Sequence, residues 1–381
     1  MQAIKQSKPA AYAGMAIFAV VLAVLPFIMG GVLGNTWIRN LDLAMLYIML
    51  ALGLNIVVGY AGLLDLGYIA FYAVGAYTYA LLNSPHLAPF LAGTSFEWML
   101  HAPIWFVLPV AALLAGLFGV LLGSPTLKLR GDYLAIVTLG FGEIVRLFMN
   151  NLDRPINITN GPQGVNLIEP VSLFGHKFSQ AITVFGIEFR NVHLYYYLFL
   201  ALALLIIVVS IRLQSSRIGR AWVAIREDEI AAQAMGINTR NVKLLAFAMG
   251  ASFGGVSGAM FASFQGFVSP ESFILMESIV VLAMVVLGGM GHIPGVILGA
   301  VLLFLTPEVL RDIVNPLQDK LIGERVVNPE NLRMLLFGIA LIFVMLVRPE
   351  GLWPSKRRKA EFHEAEEEAA AVDAKKEAAH V

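Results

Sequence analysis

Long apolar runs are the feature that most constrains how this chain can fold. Crossing the roughly 30 Å hydrocarbon core of a bilayer takes about 20 apolar residues in a helix. Hydrophobic residues make up 58% of the 381 residues and charged residues only 14%, against roughly 45–50% and 25% in soluble domains. We therefore predict an all-α fold, a polytopic transmembrane helical bundle of about ten spans, some of them broken. The predicted spans are 11–33, 41–60, 62–82, 103–123, 132–149, 193–212, 243–262, 278–291, 294–306 and 331–348.

The first and ninth runs need a separate interpretation. Lys5 and Lys8 precede the run 11–33, as positive residues precede the apolar core of a signal peptide. The run is longer than the 7–15 residues of such a core, and no clear cleavage site of small residues follows, so we predict a retained helix. The run 294–306 is short, and we expect it to form a broken pair with 278–291.

The distribution of Lys and Arg predicts the orientation of the chain. Seventeen of the 26 Lys and Arg residues lie at the N-terminus, in the turn 124–131, in the loop 212–243 or near the C-terminus. The loops 83–102 and 263–277, on the opposite side, contain none. Because positive residues accumulate in cytoplasmic loops, we predict that both termini are cytoplasmic.

Two segments differ in composition from the predicted spans. We divide the chain into a transmembrane domain, 1–353, and a charged cytoplasmic tail, 354–381, which holds 13 of the 52 charged residues. The tail is rich in Ala, Glu and Lys without an apolar stripe, so we expect it to be solvated. The external loop 150–192 is polar and turn-rich, and too long for a simple connector, which favours an ordered, functional segment.

Several classes of function are excluded by what the sequence lacks. With zero cysteines and zero formal net charge, the chain offers no thiolate metal site and no basic surface for nucleic acid. The motifs of P-loop nucleotide binding and of zinc peptidases are missing,. We predict no catalytic residue, no metal site and no cofactor.

The cytoplasmic loop 213–242 is the most informative segment. Its composition predicts one or two short helices, and Gly236 is well placed to end the second,. Small residues would let the backbone of another protein approach closely, and charges of both signs around them favour a specific register. A solvated loop that merely obeys the positive-inside rule would explain the charge but not the length or the small residues. We therefore expect a cytoplasmic partner to dock here.

These residues resemble a known family. The segment Glu229-Ile-Ala-Ala-Gln-Ala-Met-Gly236 is similar to the E-A-A-x-x-x-G coupling loop by which permeases of ABC importers dock on their ATPases. The acidic residue stands one place early, and Ile230 occupies its usual position. Together with Arg130–Arg146, Gln265–Phe273 and Val286–Gly291, the loop resembles LivM-type permease subunits of branched-chain amino acid importers. The resemblance covers residues 40–353.

The resemblance implies a function and a set of partners. The chain would be a permease subunit in a bacterial inner membrane, with two pseudo-symmetric halves and no enzymatic activity of its own. Its partners would be a second, related permease, two ATP-binding subunits and an extracytoplasmic binding protein. Leu, Ile or Val would be the substrates, with urea or other short amides as the alternative. The residues implied in ATPase coupling are Arg220, Arg226, Glu227, Asp228, Glu229, Ala231, Ala232 and Gly236.

Ionisable residues inside predicted spans are functional candidates, because they are costly to place in lipid. Asp65 lies in a Gly-rich break, where capping of a helix and a role in transport are both open. Glu143 and Arg146 are three residues apart and can pair on one helix face,. They form either a self-neutralised pair or part of the substrate pathway.

Glycine interrupts predicted helices in both halves of the chain, at Gly59–Gly67 and at Gly288–Gly295. Paired breaks point to a substrate pathway in transporters, whereas close helix packing is the alternative. The candidate pathway or gating residues are Asp65, Glu143, Arg146, Gly288, Gly289 and Gly291.

The outer loops contain candidate contacts for a binding protein, namely Gly161, Pro162, Phe267 and Val268. Phe267 and Val268 are either interfacial anchors or part of a docking surface. An ion-coupled transporter is the alternative from another class. The long cytoplasmic loop and the scarcity of membrane-embedded charge both argue against it.

Overall fold

The structure, a computed structural model, describes residues 20–31, 34–91, 93, 97–127, 129, 131–154, 157–173, 175–184, 187–321, 335, 338–339, 342, 346–348 and 351–354. The chain is mostly helical in these ranges. The α-helices are α1 (Val20–Gly31), α2 (Asn35–Asn55), α3 (Ile69–Leu82), α4 (Ala88–Leu91), α5 (Ile104–Thr126), α6 (Asp132–Asn151), α7 (Asn191–Ser215), α8 (Arg217–Glu227), α9 (Glu229–Ala234), α10 (Thr239–Gln265), α11 (Leu275–Gly288) and α12 (Ile293–Leu321).

Apolar helices long enough to span a bilayer confirm the predicted architecture in outline. Among the described residues, six helical segments qualify by length and composition: Asn35–Tyr60, Ile104–Thr126, Asn191–Ser215, Thr239–Gln265, Pro270–Gly288 and Ile293–Asp312. α1 and α3 are apolar but shorter. The total of about ten spans and the cytoplasmic position of the termini stay predictions. Most of the predicted span 331–348, and the tail from 355 on, lie outside the described residues.

Helix α10 lies at the centre of the bundle, packed against α2, α3 and α5. Its glycines make this possible, because small residues allow helix backbones to approach closely in a membrane protein. A Cβ atom on Gly258 would overlap with the backbone of Tyr72 in α3, and one on Gly255 would lie 2.5 Å from the Ala111 carbonyl oxygen in α5. The buried core is therefore built on backbone contact as much as on large side chains.

The first glycine-rich break starts where α2 ends. A π-helical turn, Ile56–Tyr60, extends α2, and residues 61–68 are not helical. The predicted span 62–82 was therefore wrong at its beginning, since α3 starts at Ile69. Gly62 has a φ of +69°, a conformation that ends a helix and that glycine adopts without strain,. The backbone N–H of Ile69 donates to Ser278 Oγ of α11 at 3.1 Å, which satisfies one donor at the start of α3,.

The second break separates α11 from α12, and the two helices pack against each other. Each belongs to a helical segment long enough to span a bilayer by itself, and the broken pair stays a prediction. Gly289 and Gly291 have φ values of +113° and +82°. The prediction for the following helix was too short, because α12 continues from Ile293 to Leu321 through Pro307 and Pro316. Proline inside a membrane helix is tolerated when nearby groups satisfy the freed carbonyls.

The segment 150–192, which was predicted to be external, contains two short β-hairpins that the all-α prediction missed. β1 (Ser172–Leu173) pairs antiparallel with β2 (His176–Lys177). β3 (Ile182–Val184) pairs antiparallel with β4 (Ile187–Phe189). β-Branched and aromatic residues on either side of a two-residue connection favour such a hairpin. At 172–189 the chain therefore departs from a purely helical fold.

Candidate functional site

The loop 213–242 folds into two short helices, as its composition predicted. Each helix of this region begins with a side chain that accepts a hydrogen bond from the backbone of its first turn, the usual N-cap arrangement. Ser216 Oγ accepts from Gly219 before α8, and Asp228 Oδ1 accepts from Ile230 and Ala231 before α9. The loop is therefore a defined structure.

Trp222 attaches α8 to the membrane helices. Its side chain is fully buried, and its indole Nε1 donates to the Val242 carbonyl oxygen of α10 at 2.7 Å. Ile225, one turn further along α8, is also buried. The buried ring contributes a large apolar contact, and its N–H has a hydrogen-bond partner, so Trp222 holds α8 firmly against α10,. α8 is therefore packed on the body of the protein, and α9 follows as its exposed extension.

Helix α9 ends at Ala234, and Gly236 follows two residues later in the left-handed conformation that stops the helix, as the sequence predicted. Gly236 has a φ of +84°. Its N–H donates to the Gln233 carbonyl at 2.9 Å, and the N–H of Ile237 donates to the Ala232 carbonyl at 3.1 Å. These two bonds satisfy carbonyls that the end of the helix would leave free.

Substituting Gly236 tests this helix end. No atom lies within 4 Å of the place that a Cβ on Gly236 would occupy, so only the backbone conformation is strained. We expect Gly236→Ala to lower the free energy of unfolding of the purified chain by about 1 kcal/mol, and Gly236→Asn by less, because Asn tolerates the left-handed region. Thermal unfolding in detergent measures both. Equal destabilisation by the two variants would contradict the conformational explanation.

The exposed residues of α9 and of the turn after it are mostly apolar, with Gln233 as the exposed polar exception, and the sequence interpretation identified them only in part. Ile230 is 67% exposed and Met235 84% exposed, and Ala231, Ala234 and Gly236 are exposed beside them. We call these five residues the α9 face. Ala232, predicted to belong to it, is 4% exposed and faces the chain itself. Arg220, Glu227 and Asp228 are exposed around the loop.

Two charged residues of the loop face inward. Glu229 Oε1 lies 2.6 Å from Lys243 Nζ of α10. Arg226 Nη1 donates to the Gly59 carbonyl oxygen at 2.7 Å, in the π-helical turn that precedes the first break. The early position of the acidic residue thus has a structural consequence, because it pairs with the body and leaves Ile230 on the surface.

The two glycine-rich breaks meet beside this loop. The backbone N–H of Gly291 donates to Asn55 Oδ1 at 2.8 Å, and Gln214 Nε2 donates to the Gly291 carbonyl oxygen at 3.3 Å. Gly288 packs against Gly295 so closely that a Cβ on either would overlap with the other's carbonyl. Gly289 is crowded by the backbone of Trp353, whose N–H donates to the Gly288 carbonyl at 3.1 Å.

A cleft of about 360 Å³ opens between the first break and the loop. Residues 61–64, the start of α6 and the side chains of Arg226, Glu229 and Lys243 line it. The sequence had given no reason to place the loop, the break and α6 around one cavity. Their common position makes this end of the helix bundle the candidate site.

Asp65 is 2% exposed and lies inside the break. Its Oδ1 accepts from the Gly67 N–H at 2.9 Å. This bond lies within the break, two residues before the start of α3 at Ile69, and the helix-capping alternative stays open. A role for Asp65 in the pathway stays a prediction.

Glu143 and Arg146 form the predicted pair on α6. Arg146 Nε donates to Glu143 Oε1 at 3.0 Å, and Arg146 Nη1 also donates to Glu271 Oε1 at 3.1 Å. The sequence interpretation missed Glu271, which a loop far along the chain brings to this helix. The pair is confirmed, and its contact with a substrate stays a prediction.

Asp42 is an intramembrane charge that the sequence interpretation overlooked. Its side chain is fully buried in α2, and neither carboxyl oxygen has a hydrogen-bond partner among the residues described. An Asp inside the predicted span 41–60 was the signal that should have identified it. Within the described ranges, no group of three or more His, Asp or Glu side chains could hold a metal ion.

The two loops that were predicted to be external pair with each other. Val165 and Val268 exchange backbone hydrogen bonds of 2.8 and 3.1 Å. Gly161 begins a 3-10 turn with Pro162 and is itself buried. Val268 is fully buried as well, whereas Phe267 is 40% exposed. Of the four predicted contacts for a binding protein, Pro162 and Phe267 therefore offer accessible side chains.

Comparison with known proteins identifies the family. The family model described as "Branched-chain amino acid transport system / permease component" matches residues 37–345. The chain belongs to this family. Membership confirms the resemblance predicted from the coupling loop and the other motifs, and it confirms that the chain is a transport subunit and not an enzyme.

Individual family members are similar over most of the chain. The "High-affinity branched-chain amino acid transport system permease protein LivM" of Escherichia coli K12 is 43% identical over 355 residues, covering 90% of this chain and 75% of the relative. The "Probable branched-chain amino acid transport permease protein LivM" of Methanocaldococcus jannaschii is 26% identical, covering 82% and 91%. The corresponding "permease protein LivH" of Escherichia coli K12 is 26% identical, covering 82% and 93%. No solved structure matches the chain.

Proposed function

We propose that this chain is the membrane-spanning permease subunit of an ABC importer for branched-chain amino acids, in a bacterial inner membrane. Family membership and the 43% identity to a LivM permease protein support this function. The α9 face is the observation that carries it. It is an exposed apolar surface at the end of a firmly packed loop, as docking on an ATPase requires.

The proposed assembly has four kinds of subunit. Similarity to both LivM and LivH proteins supports a pair of related permeases. Two ATP-binding subunits would dock on the cytoplasmic loops, and an extracytoplasmic binding protein would deliver substrate near Pro162 and Phe267. In this arrangement both termini are cytoplasmic and the chain has about ten spans.

The proposed mechanism is a rigid-body transition driven from outside the chain. ATP-dependent closure of the ATPases would move the loop 213–242 and switch the pathway between outward and inward access. Asp65, Glu143, Arg146 and the glycines of the second break are the proposed pathway or gating residues. The buried Trp222 supports transmission of the movement, because α8 cannot shift without the helix it packs on.

Charge on the α9 face tests the docking. We expect Met235→Glu and Ile230→Glu each to lower co-purification of the ATPase with the permease about tenfold or more, because an unpaired carboxylate would be buried in the interface. The matched control is Leu167→Glu, which places the same charge on a 77% exposed residue of the external segment. Undiminished ATPase binding by both α9 variants would exclude this face as the docking surface.

The substrate needs its own experiment. In vesicles that contain the whole importer, we expect ATP-dependent uptake of radiolabelled Leu, with Ile and Val as competitors and urea without effect. Uptake of urea in preference to Leu would instead support the amide alternative, and uptake without ATP would contradict the importer function.

A further inference from the structure

We propose that Arg226 is a positioning residue that connects the coupling loop to the place where the two interrupted helices meet. The proposal rests on the proposed function and adds a specific connection to it. It gives Arg226 a role inside the permease, distinct from contact with the ATPase.

The first part of the connection is the bond from Arg226 to the first break. Arg226 Nη1 donates to the Gly59 carbonyl oxygen at 2.7 Å, over 167 residues of sequence. Gly59 lies in the last turn before the helical segment ends at Tyr60, where carbonyls lack helical donors,. A hydrogen bond from a charged donor is stronger than a neutral one. Arg226 therefore holds the end of this helical segment.

The stem of Arg226 fits against the same break. A Cβ atom on Gly62 would lie 2.5 Å from Arg226 Cγ and 3.2 Å from its Cβ, so only a hydrogen atom leaves room for the side chain. Gly62 therefore provides both the backbone turn and the space for Arg226. The contact is formed by the whole side chain and not by its charged end alone.

The second break joins the same cluster. Gly291 N–H donates to Asn55 Oδ1 at 2.8 Å, one turn before Gly59 on the same helical segment. The position of a Cβ on Gly291 would be 3.3 Å from the Gly59 carbonyl oxygen and 3.6 Å from Arg226 Nη1. We call Asn55, Gly59, Arg226 and Gly291 the junction.

The junction has a mechanical consequence. Displacing α8 would pull on the first break directly through Gly59, and on the second through Asn55 and Gly291. Breaks of a helix are where a membrane helix can bend at least cost, because their backbone bonds are already interrupted. One side chain of the loop thus acts on both interrupted helices. Without the Arg226 side chain, α8 could move with the ATPase while the two breaks kept their positions.

Two substitutions that differ only in the donor test this role. Arg226→Met keeps an unbranched stem against Gly62 and removes the donor, whereas Arg226→Lys keeps a stem and a charged donor. In the complete importer, we expect Arg226→Met to retain bound ATPase and its ATP hydrolysis. Substrate transported per ATP should fall about tenfold, within the usual range of coupling between sites. Arg226→Lys should recover most of that ratio.

The control is Arg212→Met, which removes the same charge from an exposed position at the end of α7 and should leave transport per ATP unchanged. Two results would overturn the proposal. One is an unchanged ratio in Arg226→Met. The other is loss of ATPase binding in step with transport, which would place Arg226 in docking. Absence of a bound ATPase on the unsubstituted chain would instead reject the proposed function, so the two failures are distinguishable.

Discussion

Gly258→Ala adds one methyl group to α10 and is expected to lower the free energy of unfolding of the purified chain by about 3 kcal/mol. This is the upper end of the range for overpacking a close-packed interior. The new Cβ would overlap with the Tyr72 carbonyl and lie 2.7 Å from the Ala76 nitrogen of α3. Both are backbone atoms, so no side-chain rotamer can relieve the contact. α3 and α10 would have to separate along their whole crossing.

The matched control is Gly140→Ala in α6, because no atom lies within 4 Å of its would-be Cβ. This variant should be neutral or stabilising by up to about 1 kcal/mol, the difference in helix propensity between Ala and Gly. Loss of helical signal during titration with a denaturing detergent gives the free energy of unfolding of each variant. Equal stability of the two variants would show that the α3–α10 crossing is looser than the backbone contact requires. Gly258→Val should destabilise the chain more than Gly258→Ala does, since it adds two further methyl groups at the same crowded position.

The sequence predicted several of the membrane helices closely, and the beginning of α3 is the exception with the clearest cause. Helices α5, α7 and α10 agree with their predicted spans to within a few residues at each end. α3 does not, because the preceding break contains Leu63, Leu64 and Leu66 and is as apolar as the helix. Hydropathy indicates which residues avoid water, not which of them are helical. In this stretch, only the glycines indicated that the helix is interrupted.

The local structure of the candidate site could be predicted from the sequence, but the partners that its charged side chains contact could not. The caps, the two short helices and the turn at Gly236 follow from local sequence, so they could be predicted. Arg226 and Glu229 bond to Gly59 and Lys243, which local sequence cannot identify as partners. Whether a charged residue of a loop faces a partner protein or its own chain depends on such distant contacts. Because Arg226 and Glu229 contact the body of the chain, the α9 face is left exposed, and only the structure shows this.

The ion pair between Glu229 and Lys243 leads to the second large effect. The Lys243 side chain is 7% exposed and that of Glu229 is 24% exposed, with 2.6 Å between Nζ and Oε1. Removing one member of a buried pair leaves a charge that water solvates poorly, at a cost of about 3–5 kcal/mol. We expect Lys243→Met to destabilise the chain by about 3 kcal/mol, the lower end of this range, because Glu229 keeps some contact with water.

Two further variants separate this pairing from simple loss of a lysine. Lys177→Met removes the ammonium from an exposed pair with Glu169, whose side chains are 51% and 35% exposed, and should cost less than about 1 kcal/mol,. The double variant Glu229→Gln/Lys243→Met removes both charges and should recover most of the loss, because replacing both members of a buried pair is often neutral. Chemical unfolding of the unsubstituted chain, Glu229→Gln, Lys243→Met and the double variant gives the coupling free energy directly. If the double variant is as unstable as Lys243→Met alone, Lys243 acts through its packing and not through Glu229. Recovery would show that the Glu229 carboxylate holds α9 on the body of the chain, with Ile230 and Met235 on the exposed side.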